Sequence, residues 1–185
     1  MSPFLRLVLI CLAAVLPLGG MAETFAGEEG YREPRFGEPL FDVQALGLDV
    51  TERQQTADTL VKVAYYLADK PQAGASALAL ADSFVPGHSG AKVANFRLRM
   101  GQGYRAVQMV IVDDLVADLL QRAARILHIA EGEDGNDAVR FLLDVISHLS
   151  VETEANQTQF DSLKRAVPGD VNWGLALEPH PPGGR

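Results

Sequence analysis

The stretch TERQQTADTLVKVAYYLADKPQAGASALALADSFVPG, residues 51–87, decides the fold. Ala57, Leu60, Val61, Ala64 and Ala68 recur at three and four residues, the spacing that gathers side chains into one stripe of an α-helix. In front of them Thr51-Glu52-Arg53-Gln54 fits a capping box, in which the hydroxyl and the Gln side chain satisfy free backbone donors. Asp69-Lys70-Pro71 then makes a tight connection, because the fixed φ of proline suits the first turn of a following helix. Ala73, Ala77, Leu80, Ala81 and Phe84 continue as a second helix, and Pro86-Gly87 stops it. Two helices joined so closely lie antiparallel.

The same logic predicts a second hairpin. Leu115, Val116, Leu119, Leu120, Ala123, Ile126, Leu127 and Ala130 form one stripe. A polar loop, Glu131 to Asn136, breaks it, and Asp137 is placed to cap the next helix, whose apolar face is Phe141, Leu142, Val145, Ile146 and Leu149. A last helix is expected from Thr153 to Ala166, ending at Pro168-Gly169. Between the hairpins, Ala94, Phe96, Leu98 and Met100 alternate with polar residues up to the Gly101-Gln102-Gly103 turn, which fits a short β-hairpin over 94–112. Ser89 as a cap, with Ala91, Ala94 and Leu98 on one face, fits a helix, which the flanking helical pattern favours. The expected fold class is all-α, built from stacked antiparallel helical hairpins.

Working outward, residues 1–22 have the layout of a secretory signal: Arg6, an apolar run from Leu7 to Leu18, then Gly20-Met21-Ala22 as a small-x-small cleavage site. The run is too short to span a bilayer, so export without a retained transmembrane anchor is expected, to a periplasmic or extracellular location. Cleavage would remove Cys11, the only cysteine, leaving no disulfide, thiol nucleophile or thiolate ligand. Residues 23–50, rich in Gly, Pro and Glu, read as an extended leader whose aromatics dock on the helical domain at 51–168. Residues 169–185 are a tail, with Trp173 expected to pack it against the last helix. The chain of 185 residues carries 16 Lys+Arg against 24 Asp+Glu, a formal charge of −8, which argues against a general nucleic-acid binder.

A shift of 64 residues aligns Leu78 with Leu142, Ser83 with Ser147, Ala91 with Ala155 and Phe96 with Phe160, a weak internal repeat. The unit from Gln55 to Gly87 resembles a degenerate tetratricopeptide repeat: Tyr65 at the first-helix aromatic, Gly74 and Ala81 at the small packing positions, Pro86 at the terminal proline. Leu78 occupies a site that is usually aromatic, and Asp58, Lys62 and Asp69 depart from the pattern. The stretch from Asp137 to Ser150 keeps mainly Ala138 and Leu142 in register. The resemblance implies a docking surface for other proteins.

Motifs with chemical potential each have a plainer structural explanation. His88, His128, His148 and His180 lack the i, i+4 spacing of a helical zinc site, although His128 and His148 could meet across the second hairpin. Glu131, Glu133, Asp134 and Asp137 lie out of phase with a calcium loop and instead complement a helix dipole. Asp113, Asp114 and Asp118 lie in one helix, where Asp114 and Asp118 share with Gln121, Arg122 and Arg125 a face read as solvated rather than as acid–base machinery. Gly101 to Ala106 imitates a dinucleotide fingerprint without a β-α-β context. None of the serines has a nucleophile-elbow context, and Asn156-Gln157-Thr158 fits a glycosylation acceptor.

The expectation is a protein-interaction or scaffold module without catalytic activity, cofactor or metal, whose partner is another protein of the envelope or extracellular space. Lys62 and Tyr65 on the first hairpin, and the basic stretch with Lys92, Phe96, Arg97, Arg99, Tyr104 and Arg105, are the expected contacts, since interfaces favour Arg and aromatic anchors. Alternatives are a helical binding protein for a small ligand or metal ion, and a hydrolase with dispersed carboxylates.

Overall fold

A computed structural model of the chain describes residues 32–100, 111–130 and 132–179. Six helices form among them: α1 (Val50–Tyr66), α2 (Pro71–Phe84), α3 (Ser89–Arg99), α4 (Val112–Ile129), α5 (Glu133–Ser147) and α6 (Glu154–Ala166). No strand forms among the described residues, where Pro34 and Leu177 make one isolated antiparallel bridge. No helix among them is long and apolar enough to cross a membrane.

Helix α1 starts earlier than its apolar stripe suggests. Asp49 is the N-cap: its carboxylate accepts from the Glu52 N–H at 2.8 Å, and the Glu52 side chain accepts from the Asp49 N–H at 3.0 Å. This displaces the expected Thr51–Gln54 box, because a carboxylate at Asp49 finds its Glu three residues on. Pro71 sits in the first turn of α2, as its fixed φ favours. Every residue of α2 from Ala73 to Phe84 is buried. Its small side chains let other elements approach from every side. It packs on α1, α3 and α5.

The leader and tail complete the enclosure of α2. The buried Asp82 carboxylate accepts from the Gly37 N–H at 2.5 Å and the Gly87 N–H at 3.0 Å, while Ser83 Oγ accepts from the Leu40 N–H. Phe41 meets Phe84 edge-on at 5.2 Å between ring centres. On another side, Ala176 and Leu177 of the tail cover Ala75 and Ala79. The two ends meet there, with the Arg35 N–H donating to Ala176 O and the Glu178 N–H to Glu33 O, both at 2.8 Å.

The molecule has two halves of like construction. In each, a hairpin (α1–α2, α4–α5) carries a third helix (α3, α6) packed against both of its members, and the halves meet α1 on α4 and α2 on α5. The 64-residue shift holds for Leu78 and Leu142, both fully buried, but not for the third helices. Ala91 is buried where Ala155 is exposed; the burial pattern instead aligns Ala91 with Asn156 and Leu98 with Leu163.

Three local expectations are corrected. Residues 94–99 are helical, so the β-hairpin alternative fails there; its remainder at 101–110 lies outside the described residues. The strand-like alternation arises because α3 is apolar on two sides, with Ala94 and Leu98 inward and Phe96 and Met100 outward. His88, not Ser89, caps α3: its Nδ1 accepts from the Ala91 N–H at 3.1 Å. Helix α5 begins at Glu133 after Gly132, whose φ of 92° makes the turn, so Asp137 lies inside the helix rather than capping it.

Candidate functional site

Helix α3 turns Ala91, Ala94, Asn95 and Leu98 toward the core. At about 100° per residue the opposite side reads Lys92, Phe96, Met100, Val93, Arg97 in angular order. Phe96 is 64% exposed, Val93 49% and Met100 48%. An apolar strip therefore lies along the helix with Lys92 on one flank and Arg97 on the other. Both cations are exposed and make no ion pair among the described residues. Arg99 lies beyond Lys92 and pairs with Glu33 of the leader at 3.1 Å. The helix contains no acidic residue, in a chain whose formal charge is −8.

The second half supplies an internal comparison. When the buried positions of α3 and α6 are aligned, Lys92, Val93, Phe96, Arg97 and Met100 correspond to Gln157, Thr158, Asp161, Ser162 and Arg165. That face of α6 is polar throughout, as solvation requires. Architecture alone therefore does not dictate the apolar side chains of α3, whose outer apolar groups are exposed and are not packed against the core of the described residues.

The expected contact residues fall into three groups. Lys92, Phe96 and Arg97 share the face just described, with Arg99 at its edge. Lys62 is exposed and Tyr65 half-buried against the core, both on α1. Tyr104 and Arg105 lie outside the described residues. Val93 and Met100 were not singled out from sequence, although their spacing of three and four residues from Phe96 carries the signal.

Other candidate chemistry resolves into structure. His128 and His148 sit at opposite ends of the antiparallel α4–α5 hairpin, roughly 20 Å apart along its axis, and so do not meet. Asp118 is not merely solvated: it accepts from Thr59 Oγ1 of α1 at 2.7 Å and from Arg122 at 3.2 Å, joining the two halves. Asn156 is buried and its Nδ2 donates to Asp113 O at 3.2 Å, so the glycosylation motif spends its acceptor nitrogen inside the fold. Glu133 and Asp134 occupy the first turn of α5, where they complement the helix dipole. Arg140 bonds Glu133 and Asp137, and chiefly its hydrogen bond, then that of Asn136 and the Arg140 charge, hold the Glu133 carboxyl below its ordinary range. Among the described residues no three His, Cys, Asp or Glu side chains are grouped to hold a metal ion.

A cleft of about 380 Å³ lies between α5, α6 and the tail, lined by Asp144, Phe160, Lys164 and Trp173 among others. Its groups are largely engaged with one another: Trp173 Nε1 donates to Asp144 at 2.9 Å, and Lys164 lies over the Phe160 ring. Trp173 also packs edge-on against Phe141, so it seats the tail chiefly on α5. No protein-family model, curated protein or solved structure matches the chain.

Proposed function

We propose that this chain is an exported docking module that works by contact rather than by chemical turnover, and that its grip is the solvent side of α3. The observation that carries the reading is the strip of Val93, Phe96 and Met100 held in water between Lys92 and Arg97, where the corresponding helix α6 is polar. Side chains of this kind are the anchors of contact surfaces, with cations at the rim steering the encounter. The partner expected from sequence is another protein of the envelope or extracellular space, and the tetratricopeptide resemblance supports a docking role of that kind.

A photo-crosslinking amino acid at position 96, compared with one at position 162 on α6, tests the grip in the exporting cell. A discrete adduct from 96, absent from 162 and reduced by Arg97→Glu, is the expected result. Identical adducts from both positions, or neither a protein nor a lipid adduct from 96, refute it.

A further inference from the structure

The grip on α3 fits a particular kind of surface. Its cations stand on both flanks of the apolar strip, about 40° beyond Phe96 on one side and about 40° beyond Val93 on the other. A helix lying in a bilayer interface has this section: apolar side chains reach below the headgroups while Lys and Arg extend sideways to the phosphates. The inner side of α3 is occupied by the core, so only the outer strip is available for such contact.

A second observation concerns where the chain leaves the fold. The Arg32 N–H donates to Gln72 Oε1 in the first turn of α2, and Glu33 pairs with Arg99, the last residue of α3. Arg32 and Glu33, the first described residues, therefore lie beside the carboxyl end of the strip. The sequence before them contains the apolar run from Leu7 to Leu18, of the kind that enters a bilayer during export. Before its removal, a segment of that kind would bring α3 to a bilayer surface and raise the effective concentration of a weak contact. A two-fold contact between copies through this strip is opposed, because Lys92 and Arg97 of one chain would face the same cations of the other.

We infer that the solvent side of α3 docks on an anionic phospholipid surface, Phe96, Val93 and Met100 entering the interface and Lys92 and Arg97 meeting the phosphates. This rests on the reading of α3 as the contact face and replaces a protein partner at that face with lipid. Because α3 carries no acidic residue in a chain of formal charge −8, its outer side is a place where an anionic surface meets cations without a carboxylate on the same helix.

The test uses the full chain with Phe96→Trp in a Trp173→Phe background, so that one indole reports from the strip. Vesicles of phosphatidylcholine alone are compared with equimolar phosphatidylcholine and phosphatidylglycerol, each with and without brominated acyl chains. The expected result is a saturable blue shift and bromine quenching with the anionic vesicles. Adding Arg97→Glu weakens that response by about twenty-fivefold, two elementary charges at about fivefold each. Because the apolar amino-terminal run can bind vesicles by itself, only the indole at 96 and its dependence on residue 97 count as docking. An indole that stays in water, an equal response to neutral vesicles, or indifference to Arg97→Glu overturns the lipid assignment. If the indole fails to respond while crosslinking at 96 yields a discrete protein adduct, the face grips a protein and only the lipid assignment falls. Failure of both experiments removes the contact face as well.

Discussion

Replacing Asp82 by alanine should loosen the leader from the helical core. The Asp82 carboxylate is buried, and its two oxygens serve different segments: Oδ2 accepts from the Gly37 N–H and Oδ1 from the Gly87 N–H. Hydrogen bonds to a charged group contribute about 1.5–3 kcal/mol each. Gly37 and Gly87 are exposed and can turn their freed donors to water, which places the combined loss at the low end, about 3 kcal/mol. At about 2–4 °C per kcal/mol for a chain of this size, the midpoint of thermal unfolding falls by roughly 6–12 °C. Asp82→Asn separates the two bonds. An amide has one acceptor oxygen, and its NH2 group would face the other donor, so it retains about half the stabilisation. Urea unfolding followed by far-ultraviolet circular dichroism gives the free energies. Hydrogen exchange at residues 36–41 shows whether the leader opens before the helices do. Alanine at 82 that leaves stability within about 0.5 kcal/mol of the parent, with residues 36–41 still protected, would refute the clasp.

Four further outcomes follow from the geometry. Leu78→Ala empties a fully buried position on α2 and should cost about 3 kcal/mol in urea unfolding. Gly90→Ala places a Cβ 2.8 Å from His88 Cε1, which displaces the ring that caps α3; it and His88→Ala should each cost about 1 kcal/mol and expose the first amides of α3 to hydrogen exchange. Trp173→Phe keeps a ring against Phe141 but removes the donor to Asp144, lowering stability by about 1 kcal/mol by circular dichroism. Carbon-13 NMR should find the Glu133 carboxyl titrating below its ordinary range and moving back toward it in Arg140→Gln, with the Asn136 hydrogen bond retained. Because the folded value is lowered, the contribution of this pair is present above the ordinary carboxylate range and is lost as pH falls through the folded value.

Helices α1 and α4 were legible because Leu60 and Ala64, or Leu119 and Ala123, repeat with the period of a helix whose outer side is wet. Helix α2 was only half legible. Its periodic residues reveal a helix, but nothing in the sequence ties Asp82 and Ser83 to the leader that bonds them, because that contact spans over forty residues. The alternation from Ala94 to Met100 fitted two secondary structures because the periodicity test assumes one apolar side, and α3 has two. The same property made the contact face partly readable. Phe96 and Arg97 stood out by type, whereas Val93 and Met100 acquired meaning only when they proved to be outside. The relation of His128 to His148 needed the direction of each helix as well as its existence.

The meeting of Glu33 and Arg35 with Ala176 and Glu178 fixes when the chain can close. A polypeptide synthesised amino end first delivers the leader long before the stretch that pairs with it, and the flank of α2 bearing Ala75 and Ala79 stays bare until Ala176 and Leu177 emerge. Completion thus waits for residues 176–178, and a product cut short at the end of α6 is left with an unsealed seam that proteases and chaperones can recognise.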